Sequence, residues 1–447
     1  MIRKFFLYFR QAFALMKEDK QYSAIYIAGT AVAIASAMLV AIILNIQLAN
    51  IYPETNRDRT LYVWGFFINP PGAAFALQFG FSPEGVDELF RKLECVETVS
   101  VSASDNDIYD FKACIELGKQ ELPVCVNFTD DAFFRLYSFR FVAGKPFTEE
   151  NVKHGDKCIV ITDVLAKKMW GNESEAVGKS LLLNYLPYRV VGVVKEVSPL
   201  LRKSSADVYS PYSVKDSNMH YIDSENRYEG GLVVSVLLKK GFTRQMMLDE
   251  LEPHKARILS ELKSTTGIDY QWEIIARPHW AESMIMFFGS ANDYSTSKML
   301  LNLLLPVLLM LLFLLLPAIN LSGMVSNRME SRVAEMGIRK AFGAKKRVLL
   351  GQVMQENLVL TLFGGIVGYA LSCGVVAAIS SNPMFLTFFQ RENDLVDSVS
   401  VQFGMFFTPI MFLIVFVCCV VLNLMAALIP SWTSLKRPIV ESLNQKK

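Results

Sequence analysis

The chain has 447 residues, 52% of them hydrophobic and 20% charged, and a formal net charge of +2. A soluble protein of this size is rarely so apolar, and so small a charge supplies no basic field for nucleic acid. The apolar residues gather in four blocks, whereas positions 49–298 read as an ordinary globular sequence.

Residues 1–23 are predicted to form a cytoplasmic amphipathic helix. Phe5, Phe6, Phe9, Phe13 and Met16 recur at helical spacing with Arg3, Lys4 and Arg10 between them, as in a helix lying on membrane lipid. The first span is placed at 24–48, without a charged residue. At about 1.5 Å per residue it crosses a hydrocarbon core of about 30 Å. It is too long for a signal-peptide core and no A-x-A site follows it, so it reads as a retained anchor.

The inserted region, 49–298, alternates strand and helix patterns. Strands are expected at Thr98 to Ala103, Lys157 to Thr162, Ser180 to Leu186, Tyr188 to Val197, Leu232 to Leu238 and Trp272 to Ile275. Ile108 to Leu117 and Leu122 to Phe128 read as a hairpin. A short helix is expected from Asp163 to Trp170, ended by Gly171, and a longer one from Thr243 to Thr265, interrupted near Pro253. The fold class is therefore four transmembrane α-helices with a large α+β extracytoplasmic domain between the first and second.

The second span is placed at 299–324 and contains Pro306 and Pro317. A cytoplasmic loop at 325–357 precedes the third span, 358–379. There Gly364, Gly365, Gly368, Gly374, Ala377 and Ala378 allow close helix approach. A short extracytoplasmic loop (380–402), the fourth span (403–429) and a cytoplasmic tail (430–447) complete the chain. Lys and Arg crowd positions 3–20, 328–347 and 436–447, whereas the 380–402 loop holds only Arg391 among acidic residues. Both termini and the 325–357 loop are thus expected in the cytoplasm. No span carries Asp, Glu, Lys or Arg at its centre, which weighs against proton-coupled transport. Asn302, Asn320 and Asn423 fit helix–helix hydrogen bonds better than a transport path.

Conventional chemistry is missing. No G-x-S-x-G, H-E-x-x-H or phosphate-binding glycine loop occurs, and His154, His220, His254 and His279 form no metal-spaced group. Seven cysteines include no C-x-x-C pair. Pairing Leu117 with Leu122 sets Cys114 opposite Cys125, which leaves a cross-strand disulfide and two reduced thiols both open. Tyr221 and Tyr228 could contact a partner, but ordinary surface or half-buried positions fit them better.

The 325–357 loop is the most informative stretch. Asn327 and Glu330 have capping-box spacing, and the helix expected after them carries Ala334, Ile338, Ala341 and Phe342 on one face. Gly343 suits a left-handed helix end, and a second helix is expected to run from near Lys345 into the third span. Such a helix fits a membrane surface or a groove on a partner.

The run Glu335-Met336-Gly337-Ile338-Arg339-Lys340-Ala341-Phe342-Gly343-Ala344 resembles the E-[IM]-G-[IV]-R-[KR]-A-[LI]-G-A signature of FtsX/MacB/LolC-type ABC transporter permeases, with Phe342 in place of a smaller residue. Glu356 and Gly364-Gly365-x-x-Gly368 are similar to that family's third span. Phe141 to Thr148, Val164 to Gly171, Val177 to Lys179 and Tyr188 to Val194 resemble its extracytoplasmic core, and Arg437 to Leu443 its closing segment.

The resemblance implies a mechanotransmission permease of a bacterial inner membrane. Glu335, Met336, Gly337, Ile338, Arg339, Lys340, Ala341, Gly343 and Ala344 would then form a coupling helix seated on a cytoplasmic ABC ATPase. No G-x-x-x-x-G-K-[ST] occurs and the segment before span one is short, so ATP and Mg are expected on that separate chain, with no cofactor, metal or catalytic residue on this one. A second permease copy or paralogue is implied, with room for a periplasmic adaptor or outer-membrane channel. The implied output is export or extraction of a peptide, drug, lipid-linked or lipoprotein cargo. The alternative is regulation of an extracytoplasmic partner such as a cell-wall hydrolase, and an ATP-independent scaffold or receptor is the rival class.

Overall fold

A computed structural model describes residues 19–68, 77–103, 111–116, 121–198, 201–215, 226–288, 296–380 and 409–436. The expected helix over Ile2 to Met16, the 380–402 loop from Ser381 onward, the start of the fourth span, the end of the tail, His220 and Tyr221 lie outside them. The chain divides into a membrane unit (1–45, 294–380, 403–447) and an outer unit (46–293, 381–402).

The membrane unit contains four helices long and apolar enough to cross a membrane among the described residues. Span one is Lys20–Leu48, span two Thr296–Ser331, span three Lys346–Ser380 and span four Pro409–Lys436. Span two continues as helix through Pro306 and Pro317. Gly364, Gly365 and Gly368 of span three do what their size predicts, whereas a Cβ on Gly374 would meet nothing within 4 Å, so that expected close approach is absent. A Cβ on Gly364 would lie 2.7 Å from Thr30, and one on Gly368 2.8 Å from the Ala31 carbonyl, both on span one. A Cβ on Gly365 would meet the Phe416 ring of span four at 2.3 Å. Asn423 is buried and its amide donates to Thr361 Oγ1 across spans four and three at 3.4 Å, whereas Asn320 is exposed.

The outer unit is built on one sheet. In chain order its strands are β1 (Thr60–Ile68), β2 (Leu77–Phe81), β3 (Val96–Ala103), β4 (Phe111–Cys114), β5 (Leu122–Val124), β6 (Val126–Thr129) and β7 (Phe141–Gly144). There follow β8 (Cys158–Thr162), β9 (Ser180–Leu183), β10 (Leu186–Val194), β11 (Val208–Pro211), β12 (Glu229–Gly230), β13 (Leu232–Leu238) and β14 (Trp272–Pro278). The order is β12-β2-β1-β13-β3-β6-β11-β8-β10-β9-β4-β5, with β14 beside β1 and β7 beside β10. The β8–β10 and β6–β11 pairs are parallel. A parallel pair needs a crossover, and helix Asp163–Trp170 supplies the one after β8. Thr162 caps that helix and Gly171 ends it at φ +78°, as the sequence predicts.

Alternation along β1, β3 and β13 turns Leu61, Val63, Val99, Val101, Val234 and Val236 to one side. There they pack with Met247, Leu251, Ile258 and Leu262 of helix Arg244–Thr266. A second core forms around Ile159, Ile161, Val190 and Val193.

Four expectations are corrected. Helix Arg244–Thr266 is unbroken at Pro253: both Pro253 and Asp249, whose carbonyl loses its helical bond, are exposed, which spares the helix the cost of a buried unpaired acceptor. β4 pairs with β5 through Phe111↔Val124 and Ala113↔Leu122, which matches apolar to apolar and offsets Cys114 from Cys125; all seven cysteines are free. Tyr228 is buried in the first core. Finally, Asn327 and Glu330 form no cap, because span two runs on through them to Ser331 with no residue to stop it.

Candidate functional site

After its 36 residues span two breaks at Arg332, which takes φ −103° and ψ 6°. Nine residues of helix follow, Val333–Ala341, with no side-chain cap. Gly343 then adopts φ +88°. A Cβ there would meet nothing within 4 Å, so glycine is required by the backbone angle and not by space. Span three begins three residues later, at Lys346.

The short helix has two unlike edges. Val333, Met336 and Gly337 are buried. Met336 belongs to one buried cluster with Tyr22 and Tyr26 of span one, Leu321 of span two, Leu349 of span three and Leu435 of span four. One methionine therefore touches a core to which every span contributes, and Ala344 packs against the same core. The opposite edge is bare: Ile338 is 49% exposed and Phe342 89% exposed, with Ala341 exposed between them. Lys345, Lys346 and Arg347 are also exposed beside it. The apolar face expected from spacing exists, but it points away from the bundle.

Charge pairs fix the helix in place. Arg332 Nη1 donates to Glu356 Oε2 of span three at 2.9 Å, and Arg328 Nη1 of span two lies 3.8 Å from the same oxygen. Arg332 Nε reaches Glu335 at 3.3 Å, and Arg339 Nη2 reaches Glu335 Oε1 at 2.5 Å. Arg339 Nη1 donates to Gln352 Oε1 at 2.8 Å, and Gln352 passes a bond to Glu356 at 3.3 Å. Lys340 Nζ donates to the Leu435 carbonyl of span four at 2.8 Å. Burial works against charge on Arg332, but Glu356 and Glu335 outweigh it and hold the guanidinium above its ordinary pKa. On Lys340 burial, helped by Lys346, prevails and lowers the pKa. Arg328 also lies over the Tyr22 ring at 4.4 Å.

The nine signature residues thus separate by role. Met336, Gly337, Lys340 and Ala344 face the bundle, Glu335 and Arg339 carry the ion pairs, Ile338 and Ala341 face outward, and Gly343 makes the turn. Sequence reasoning missed Arg328, Arg332, Gln352 and the Leu435 carbonyl, because nothing local marks a partner twenty or a hundred residues away. Among the described residues no group of His, Cys, Asp and Glu is arranged to hold a metal ion.

Comparison with known proteins finds two family matches along the chain. Residues 23–254 match the MacB-like periplasmic core domain, and residues 297–439 match the FtsX-like permease C-terminal domain. The uncharacterized ABC transporter permease YknZ of Bacillus subtilis is 22% identical over 59% of this chain and 60% of its own length. The macrolide export ATP-binding/permease protein MacB of Pasteurella multocida is 24% identical over 71% of this chain but only 42% of its own. The chain therefore spans 60% and 42% of the lengths of these two relatives, less than two thirds of either. The crystal structure of the periplasmic region of MacB from Actinobacillus actinomycetemcomitans aligns with a TM-score of 0.33 at 15% identity, covering 53% of this chain and 94% of that one. With the core-domain match alone covering more than half of its length, the chain belongs to the FtsX/MacB-type family of ABC transporter permeases.

Proposed function

We propose that this chain is the non-catalytic permease subunit of an inner-membrane ABC transporter, driven by a separate cytoplasmic ATPase that carries the ATP and Mg. The observation that carries the reading is the double character of helix Val333–Ala341. Its inner edge is seated in a core shared by all four spans, while Ile338 and Phe342 stand bare on the other. A helix so built passes a push from a docked partner to the whole bundle, since packed side chains shift together and do not deform independently. The flanking Lys345, Lys346 and Arg347 suit an acidic rim on the ATPase groove.

Both termini and this helix lie in the cytoplasm, and the sheet domain is the output end outside. The work done there is export or extraction of a cargo, because the outer core is of the kind carried by the macrolide exporter MacB. A second permease copy or paralogue completes the complex.

Co-purification tests the reading. Tagged wild-type protein is expected to retain an ABC ATPase, and Gly337→Trp or Glu335→Lys to uncouple its ATP hydrolysis without unfolding the outer domain. Wild-type protein that retains no ATPase, or variants with unchanged coupling, would sink it.

A further inference from the structure

The last turn of span one belongs to the outer unit, which begins at Ile46. A helix end leaves its final carbonyls without intrahelical partners, and no basic residue of the helix itself is there to take them. A loop arginine does so. Arg57 Nη1 donates to the Ile46 and Ala49 carbonyls, each at 2.7 Å. His279 Nε2 lies 3.0 Å from the Gln47 carbonyl. A carbonyl only accepts, so Nε2 carries the proton and Nδ1 accepts from the Tyr62 hydroxyl at 3.3 Å. Burial holds His279 down to about 4, which keeps the ring in this neutral form.

Arg57 is itself aimed. Its Nε donates to Glu54 Oε2 at 2.8 Å, and Ser204 Oγ donates to Glu54 Oε1 at 2.6 Å. Arg57, Glu54, His279 and Ser204 are 4%, 2%, 6% and 0% exposed. Charges so far from water persist only where they are paired and hydrogen-bonded, and the bonds of Arg57 end on the helix terminus or on Glu54, which aims it. His279 directly follows β14, and β14 pairs with β1, which carries Tyr62. One network thus holds the chain leaving span one and the strand that leads back toward span two. Arg59 offers a contrast from the same loop: it bonds the Leu238 carbonyl at 2.6 Å and Glu97 at 2.8 Å, and not the helix end.

We propose that Arg57 is a positioning residue that, aimed by Glu54 and assisted by His279, locks the outer end of span one to β1 and β14. A movement of the span then reaches the sheet instead of being lost as fraying of the last turn. The lock stands on its own geometry; its mechanical use rests on the ATPase-driven reading above.

Hydrogen–deuterium exchange on the full chain in nanodiscs, with whatever ATPase co-purifies, tests both parts. In Arg57→Met the amides of residues 46–48 are expected to exchange roughly tenfold faster or more. Arg59→Met is expected to leave them at the wild-type rate. With ATP and vanadate, wild type is expected to change its exchange in β1 and β14, and Arg57→Met to lose that response while still hydrolysing ATP. Should Arg57→Met not fold, Arg57→Lys keeps the charge but lacks the separate Nε donor through which Glu54 aims the side chain, and a smaller rise is expected in the same peptide. Unchanged 46–48 exchange in these variants overturns the lock. Faster exchange with an intact nucleotide response overturns its use in transmission. A wild-type preparation without ATPase counts against the functional reading alone, and the lock is then judged on residues 46–48.

Discussion

Helix Val333–Ala341 and the end of span one near Leu48 are both held by arginine–glutamate pairs, yet the pairs are built differently. At the short helix Arg332 and Glu356 are largely buried, but Glu335 and Arg339 are 44% and 41% exposed at their side chains, and Phe342 stands in the open. At the outer end of span one Arg57 and Glu54 are 3% and 1% exposed at their side chains. The first arrangement leaves a face for a partner to engage and release. The second is closed to solvent. A partly wet network tolerates rearrangement because water replaces lost bonds; a dry one is held to a single geometry by the cost of any unpaired charge.

Substitutions can break or sharpen this contrast. The largest loss is expected from Glu356→Ala, which removes the one carboxylate shared by Arg332 and Arg328. Removing one partner of a buried pair costs on the order of 3–5 kcal/mol, read as a lower Tm of the membrane unit with the outer unit unchanged. An equal drop in both units would show that the network is not local to the bundle. Met336→Ala comes next, at roughly 2–4 kcal/mol for an emptied core position, by the same melting measurement.

The sealed joint is expected to respond to acid. His279 has its folded pKa lowered below the unfolded value, with burial as the main cause and Arg57 and Lys203 adding to it against the opposing pull of Glu54. Its contribution is therefore complete above about pH 6.5 and is lost as pH falls toward about 4, a difference on the order of 2–3 kcal/mol. Glu54 is also lowered: burial alone would raise it, but Arg57, His279 and Ser204 outweigh that, so its contribution too disappears on acidification. Asp130 and Glu196, each raised to about 7 chiefly by burial, act in the opposite sense across this window. The clean comparison is thus wild type against His279→Gln, which share those two carboxyls. The variant's stability is expected to fall less between pH 6.5 and 4 in chemical denaturation, and parallel curves would contradict the assignment.

Gly343→Ala is smaller, about 1 kcal/mol, since only the left-handed angle is strained. Phe342→Ala should leave stability within about 0.5 kcal/mol because the ring packs on little. A pull-down should nevertheless show reduced ATPase retention; full retention would argue that this face is not the docking edge.

Much of the framework was legible locally. Helix Asp163–Trp170 with its Gly171 stop and strand Leu232–Leu238 appear as their residues predict, because caps and period-two alternation act over a few positions. The Asn327–Glu330 spacing misled for the same reason: it mimics a cap, but a helix already under way has no need to restart there. β1 and β2 went unread. β1 pairs with β2, β13 and β14, so its nearly continuous apolar run is interpretable only once those neighbours are known.

The sequence by itself determined the four apolar spans, the inserted α+β domain, the turn at Gly343 and the family signature from Glu335 to Ala344. Each rests on residues within a few turns of one another. Tertiary structure alone decided which edge of the short helix is bare, and that Arg57 rather than Arg59 reaches the end of span one. Those outcomes depend on Glu356, Leu435, Ser204 and His279, which lie far along the chain and carry no local period. Only folding brings them close enough for charge and hydrogen bonding to choose between otherwise equivalent residues.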